Sequence, residues 1–319
     1  MKCSYCENNS IYHRKHSGEN LCGNCFNKSI EHQIYKTISK FKMLKPQDKI
    51  ILGLSGGKDS MVLLCNLITI QKKIPNSPSI IALTINEGIS EYREKCIIKS
   101  KEYCKINKVE HKIISFKEKL GKSMEEILEI YKNNYGEIYP CNICATIRRR
   151  LLNDEGKRLG GTVLVLGHNL DDVSQTFLMN FLRKDFNKIS RMNPFLEENN
   201  IIYMKKEKPL MKIPEKEILL YAQNKGLNFV NVPCPYKIKY PILRKRVQSF
   251  LNNCEEYSPE IKFNLFKGFI ELSDILWGYN QQLKDKESDF NTCKICNQPC
   301  GKNREICLFC EIKENIAPY

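Results

Sequence analysis

Residues Ile50-Ile51-Leu52-Gly53-Leu54-Ser55-Gly56-Gly57-Lys58-Asp59-Ser60 constrain the fold most, because an apolar run ends in a Ser/Gly turn and opens into a helical pattern. A strand that delivers the chain to such a turn lets backbone N–H groups approach an anion. The helix N-terminus behind them adds partial positive charge. Lys58 and the hydroxyls of Ser55 and Ser60 supply side-chain donors. The spelling is not that of a Walker loop: three residues separate Gly53 from Gly57-Lys58, and Asp59 stands where Ser or Thr follows the lysine. A chance turn at a helix start rarely unites strand, glycines, lysine and serines in this way.

The pattern around this turn repeats. Short β-rich runs at 50–54, 79–85, 111–116 and 162–166 alternate with helical stretches at 58–72, 91–107, 123–134 and 143–159. Repeated strand then helix predicts an α/β fold, a doubly wound parallel sheet with right-handed crossovers. Ligands of such sheets bind beyond the carboxyl ends of the strands, where the Ser/Gly turn sits. After about Asn193 prolines and the basic clusters Lys205-Lys206-Lys208 and Arg244-Lys245-Arg246 change the character of the chain. The expected organisation is a four-cysteine finger at 1–28, a linker helix at 29–48, the α/β core at 49–192, a helix-rich basic extension at 193–282 and a second cysteine ribbon at 283–319, reached through a charged linker at 283–291.

The chain has 319 residues, enough for a core domain with satellites. Its 51 Lys and Arg against 36 Asp and Glu give a formal charge of +15, which suits a polyanionic partner such as nucleic acid. No apolar window reaches the length that spans a bilayer, and a CxxC stands where a secretory signal would place a charged and then an apolar region. A cytoplasmic protein without membrane association is expected. The 16 cysteines would form a disulfide framework in a small secreted domain, but here they fall in CxxC pairs of a large chain, which favours metal binding.

Two sets carry the spacing of four-thiolate zinc sites: Cys3-x2-Cys6-x15-Cys22-x2-Cys25 and Cys293-x2-Cys296-x10-Cys307-x2-Cys310. Four protein ligands leave no open coordination position, so a structural role is expected for each zinc. RNA contact by the ribbons is compatible with it. Cys300 is a spare that could replace Cys296 or stay free. The pair Cys141 and Cys144 differs in kind, with Cys234 in Pro233-Cys234-Pro235 as its one plausible companion. Three thiolates fit a [4Fe-4S] cluster with one open iron. Spacing equally allows a redox dithiol, a persulfide-carrying pair, or a zinc completed by histidine. Cys65, Cys96, Cys104 and Cys254 stand singly and read as small buried hydrophobes. Behind the strand at 162–166 comes Gly167-His168-Asn169-Leu170-Asp171-Asp172. An aspartate pair there faces the ligand crevice and can hold Mg²⁺ on phosphates; the competing reading is an N-cap for a helix beginning near Val173. His168 reads as a positioning residue.

The segments SGGKDS, PCNIC followed by arginines, LGHNLDD and KPLMKIPEKEILLYA, with four-cysteine knuckles at both ends, together resemble the tRNA 2-thiouridine synthetase family, which includes the TtuA and TtcA types. The resemblance runs from Met1 to about Pro318. It implies an adenine-nucleotide-α-hydrolase type of core, in which Leu54, Ser55, Gly56, Gly57, Lys58, Asp59 and Ser60 bind ATP with Mg²⁺. Ile85 would touch adenine through its backbone, and Gly167 and Asp172 would close the nucleotide site. It also implies that Cys141, Cys144 and Cys234 hold a [4Fe-4S] cluster whose fourth iron accepts the sulfur donor. TtuA-related members carry a lysine four residues after the second cysteine of this CxxC, where this chain has Arg148. An arginine is always protonated and forks to phosphate, so Arg148 reads as a phosphate or transition-state clamp.

The expected activity is ATP-dependent thiolation of tRNA uridine at C2, at the wobble base: adenylation of the C2 oxygen, then nonredox entry of sulfur. Asp59, Arg148, Asp172, Cys141, Cys144 and Cys234 carry the chemistry in this reading. The sulfur comes from sulfide or a ubiquitin-like sulfur-carrier protein, and a homodimer is an allowed assembly. Two alternatives stand beside it: a cluster-free persulfide thiolase, and a zinc-dependent RNA-binding protein with a vestigial nucleotide site.

Overall fold

The computed structural model describes residues 1–136, 139–195, 203–236, 243–283, 290–301 and 303–317. An antiparallel hairpin of β1 (Tyr12–Arg14) and β2 (Glu19–Leu21) leads into α1 (Gly23–Lys40). The core then follows as β3 (Ile50–Gly53), α2 (Lys58–Gln71), β4 (Ile81–Asn86), α3 (Tyr92–Ile106), β5 (Glu110–Ser115), α4 (Phe116–Leu120), α5 (Met124–Tyr135), α6 (Pro140–Arg158), β6 (Val163–Val165) and α7 (Leu170–Leu182). After α8 (Phe186–Ser190) come β7 (Lys205–Glu207), α9 (Glu215–Asn224), α10 (Leu243–Tyr257) and α11 (Ile261–Leu283). The chain closes with β8 (Phe290–Thr292), β9 (Pro299–Gly301) and α12 (Leu308–Asn315).

Strand alternation decides the layering. Ile50 and Leu52 of β3, Ala82 of β4, and Val163 and Val165 of β6 enter one apolar cluster with α1, α2, α7 and α9. Ile51, Ile81, Leu83, Ile85 and Leu164 enter the other, with α5, α6 and α12. Burial on both faces is why these strands read as continuous apolar runs. Ile51 and Leu52 are wholly excluded from solvent, and each such side chain contributes about 1.5–3 kcal/mol. The sheet has the order β5-β4-β3-β6-β7 with every pairing parallel, so the chain switches direction across the sheet at β3. The Ser/Gly turn sits at that switch, where open α/β sheets bind ligands.

Several boundaries differ from the sequence expectation. β7 was not expected: it is a charged edge strand, Lys205-Lys206-Glu207, pairing with β6 where lysines discourage further strand addition. Within the basic cluster Lys205-Lys206-Lys208, Lys205 is thereby paired with a carboxylate of its own strand, its Nζ 2.8 Å from Glu207 Oε1. Helix α6 begins at Pro140, a residue pre-organised for a first helical position, so Cys141 as well as Cys144 is helical. Helix α7 is capped by Asn169 and not by an aspartate; Asp172 completes the capping box from the first turn. The connecting helix starts at Gly23, with Cys22 as its N-cap and Cys25 in its first turn. Of the lone cysteines, Cys96 and Cys104 are buried while Cys65 and Cys254 are half-buried. The charged linker at 283–291 lies mostly outside the described residues.

Both cysteine modules are fastened to the core. Arg14 of β1 forks onto Glu217 of α9, with Nε and Nη2 each 3.0 Å from a carboxylate oxygen. Glu217 is fully buried. At the other end Ile312 and Ile316 pack beside Ile143 and Ile147 of α6. Arg150 lies 4.9 Å over the Phe309 ring and donates to Cys296 Sγ at 3.5 Å.

Candidate active site and metal centres

Backbone geometry builds the anion cradle before any ligand arrives. Gly56 has φ +81°, and a Cβ there would lie 2.4 Å from the Cys96 carbonyl oxygen, so the position requires glycine. The Ser55 N–H donates to Ser60 Oγ at 3.1 Å, and Ser60 Oγ donates to the Gly57 carbonyl at 3.0 Å. A hydroxyl has one proton, so the 3.0 Å contact between the two Oγ atoms is donated by Ser55. Lys58 Nζ reaches Glu215 Oε1 at 2.7 Å and Asp59 Oδ2 at 3.1 Å. Burial pulls the lysine pKa down, but these two carboxylates outweigh it and raise the value.

The turn after β6 rests directly on this loop. A Cβ on Gly167 would lie 3.0 Å from Asp59 C and Ser60 N, so any larger residue would push the turn a few tenths of an ångström off the loop. Asn169 Nδ2 donates to Asp59 Oδ1 at 3.0 Å while its Oδ1 caps the helix. The two aspartates of the turn divide their roles. Asp171 is buried, bound by Lys262 Nζ at 2.5 Å, and accepts the Glu215 N–H at 2.7 Å. Asp172 faces the crevice, 3.5 Å from Arg244 Nη1. Burial pushes the Asp172 carboxyl up to about 6, aided by the charges of Asp59 and Glu215. Three mutually repelling carboxylates at the end of a phosphate loop fit a divalent cation such as Mg²⁺.

Opposite them the crevice is cationic. His168 at its mouth is pushed down to about 3 by desolvation and by Lys208, Arg244, Arg148 and Arg149, so it is neutral. Arg149 and Lys208 make no hydrogen bond or ion pair among the described residues.

Sequence reasoning missed the part that joins the two sides. Arg93 of α3 is buried and donates to the Ile85 carbonyl from Nε at 2.9 Å and to the Ser55 carbonyl from Nη1 at 2.8 Å. Its Nε also lies 2.8 Å from Glu87 Oε2, and Glu87 Oε1 lies 3.5 Å from Arg148 Nη1. The Ile85 carbonyl is therefore already engaged. A buried arginine in an otherwise polar helix left no periodic signal; Glu87, directly after an apolar strand, was the available clue.

Cys141 and Cys144 present from the first turns of α6, and the extended segment after α9 supplies Cys234. The Val230 N–H donates to the Gly56 carbonyl at 3.0 Å, so the phosphate loop itself sets the course of the chain towards Cys234. Burial pushes Cys144 up to about 12; Arg148 pulls the other way, and thiolate charge on Cys234 or Cys141 adds to the rise. The three sulfurs do not fall within the 4.8 Å that gathers the terminal sets. They do not form a closed set for one tetrahedral ion, and three soft thiolates of which Cys141 and Cys234 are near enough to act on Cys144 fit a larger iron–sulfur group.

The terminal sets behave differently. In each, all four Sγ atoms lie within 4.8 Å of one another. Cys6 to Cys22 is 3.6 Å, Cys25 to Cys6 is 3.8 Å and Cys296 to Cys307 is 3.7 Å. A tetrahedron with Zn–S bonds of about 2.3 Å has sulfur–sulfur edges of about 3.8 Å. Backbone N–H groups of Cys22 and Tyr5 hold Cys3 down to about 6, and that of Cys307 does the same for Cys293. Cys300 stands apart, donating to the Arg304 carbonyl at 3.1 Å.

Comparison with known proteins agrees with this construction. A family model described as PP-loop domain matches residues 26–254. The tRNA 2-thiolation protein NcsA of Haloferax volcanii is 30% identical, with 99% of each chain covered. The tRNA-5-methyluridine(54) 2-sulfurtransferase of Pyrococcus horikoshii is 30% identical over 98% of this chain and 93% of its own. Among solved structures, the U34-tRNA thiolase NcsA from Methanococcus maripaludis with its [4Fe-4S] cluster superposes with a TM-score of 0.77 at 33% identity, covering 100% of this chain and 97% of that one. The chain belongs to the PP-loop family, as a member of its tRNA 2-thiolation sulfurtransferases.

Proposed function

We propose that the protein thiolates tRNA uridine at C2, using ATP to activate the oxygen that leaves, with the wobble uridine as its target. The observation that carries this reading is that the phosphate loop at Ser55 to Ser60 is tied to both cysteine-bearing segments: to the one that leads to Cys234 through Val230 and Gly56, and to the helix of Cys141 and Cys144 through Arg93, Glu87 and Arg148. The M. maripaludis relative, described as acting on U34 and holding a [4Fe-4S] cluster, supports the finer assignment.

The chain's own residues divide the work. Backbone N–H groups of the loop, Lys58 and the Ser55 and Ser60 hydroxyls hold the ATP phosphates. Asp59 and Asp172 are placed to hold Mg²⁺ against them. The uridine C2 oxygen attacks the α-phosphorus as the N3 proton is lost to solvent, and pyrophosphate leaves. Arg148, held by Glu87, offers a fixed positive charge to the phosphoryl group in transit. A hydrosulfide donor then adds at C2, its proton passes to N3, and AMP departs with the original oxygen, so no electrons change hands. Cys141, Cys144 and Cys234 would hold a [4Fe-4S] cluster, which supplies an iron without a protein ligand for presenting sulfide. The two four-cysteine sets would hold zinc and keep the finger and ribbon folded. Sulfide or a ubiquitin-like carrier protein is the donor in this account.

The test is anaerobic incubation with tRNA, ATP, Mg²⁺ and sulfide, followed by nucleoside mass spectrometry. 2-Thiouridine should form in step with AMP and vanish for Asp59→Ala. ATP-independent thiolation, or none under these conditions, contradicts the proposal.

A further inference from the structure

A cavity of about 240 Å³ lies between α6 and the C-terminal ribbon. Arg149, Arg150 and Thr146 of α6 form one wall; Tyr203, Gln298 and Phe309 lie among the residues opposite, beside Cys307 of the four-cysteine set. None of these has a part in the reaction described above. The volume is below the roughly 300 Å³ at which pockets for drug-sized ligands begin, and it suits a single ring system.

The chemistry of the walls narrows the occupant. Tyr203 and Phe309 offer aromatic surface, and the Arg150 guanidinium already lies over Phe309 at 4.9 Å. Such aromatic and guanidinium planes are what unstacked bases lie against. Arg149 has no ion-pair partner among the described residues; the charges nearest it are Arg148 and Arg244, both repulsive. Its charge also acts on His168, so it lies on the cavity wall within electrostatic range of the crevice. Gln298 Oε1 is buried without a hydrogen-bond donor. Rotation about its soft terminal torsion brings either end of the amide to a ligand edge. Aromatic face, unpaired guanidinium and amide are together the recognition set for single-stranded RNA.

We propose that this cavity takes an unstacked base of the tRNA, a neighbour of the uridine being thiolated, with the adjoining phosphate on Arg149. The inference rests on the tRNA reading above and adds a second nucleotide subsite to it. The ribbon then contributes to substrate recognition through Gln298 and Phe309, beyond bracing α6. Stacking tolerates any base, whereas the Gln298 amide favours one that offers a complementary edge.

The experiment is equilibrium binding of an unmodified tRNA transcript to the full-length protein at fixed salt, with ATP titrated in parallel. Tyr203→Ala should weaken tRNA binding about 5- to 150-fold, the loss of one base stack, and leave its salt dependence unchanged. Tyr203→Trp should restore binding. Arg149→Ala should weaken binding and reduce the slope of log affinity against log salt by about 0.7, one phosphate on a single strand. ATP affinity should be unaffected by Tyr203→Ala. Wild-type tRNA affinity in Tyr203→Ala overturns the proposal, as does loss only of turnover driven by a carrier protein, which would assign the cavity to that partner. Should Tyr203→Ala lose zinc, Arg149→Ala decides, and an unchanged salt slope there overturns the proposal. Failure of the wild-type protein to bind tRNA overturns the functional reading itself.

Discussion

Arg93 Nε lies 2.8 Å from Glu87 Oε2, and the same guanidinium donates to the carbonyls of Ser55 and Ile85. One buried cation thus fixes the ends of β3 and β4 and, through Glu87, the position of Arg148. Arg93→Ala removes the closer of the two cations on the buried Glu87 carboxylate and leaves the Ser55 and Ile85 carbonyls without its donors. Unfolding in urea should show a loss of about 3–5 kcal/mol. Arg93→Lys should recover part of that stability but not ATP affinity, because one ammonium cannot reproduce the fork.

The Arg14 and Glu217 pair makes a similar prediction for the finger. Arg14→Met strands Glu217 in the core and should cost about 3–5 kcal/mol, whereas adding Glu217→Leu should return most of it. Denaturant midpoints of the single and double variants check this. Equal midpoints for the two would show that the pair does not dock the finger.

Metal analysis of the purified protein should find about two zinc ions per chain, because each four-sulfur set is closed by four ligands. Cys307→Ser should remove about one zinc and loosen the ribbon from α6, read as faster proteolysis near 290–317. An unchanged zinc content contradicts the assignment.

His111 supplies the pH dependence. Thr84 Oγ1 donates its proton to the Leu54 carbonyl at 2.7 Å, so the 2.8 Å contact with His111 Nε2 is donated by the imidazole. Burial first, then Lys101 and Arg93, push His111 down to about 4. The unfolded chain takes up that proton near pH 6.5, the folded chain only near 4. Between these values the unfolded state binds more protons, so this contribution is present above about 6.5 and is lost as pH falls towards 4, by at most about 1.4 kcal/mol per unit. His111→Gln should flatten stability against pH across that window, and an unaltered slope contradicts the account.

The architecture was legible where periodicity and glycine carry it. β3, β4 and β6 fell within two residues of their expected places because each is buried on both faces, the edge strand β5 was read from its Ile113-Ile114 pair although only Ile114 is buried, and the loop announced itself through Gly56 and Gly57. β7 was not legible, since a charged edge strand takes its conformation from β6 and not from its own residues. The two cysteine sets could be read as units because their ligands sit in local CxxC knuckles. Arg93 with Glu87, and Lys262 with Asp171, could not, because each tie depends on where tertiary packing brings a helix. Cys234 lies 90 residues from Cys144 in the numbering. Its place follows from the Val230 hydrogen bond to the loop, which spacing does not encode.

The central claim is that nucleotide activation and sulfur delivery are separate functions meeting at one crevice. Cys141→Ala, prepared anaerobically beside the wild-type protein, tests it most directly through ATP affinity and 2-thiouridine formation measured on the same sample. The account predicts wild-type ATP binding with thiolation abolished. Undiminished thiolation by Cys141→Ala would contradict it.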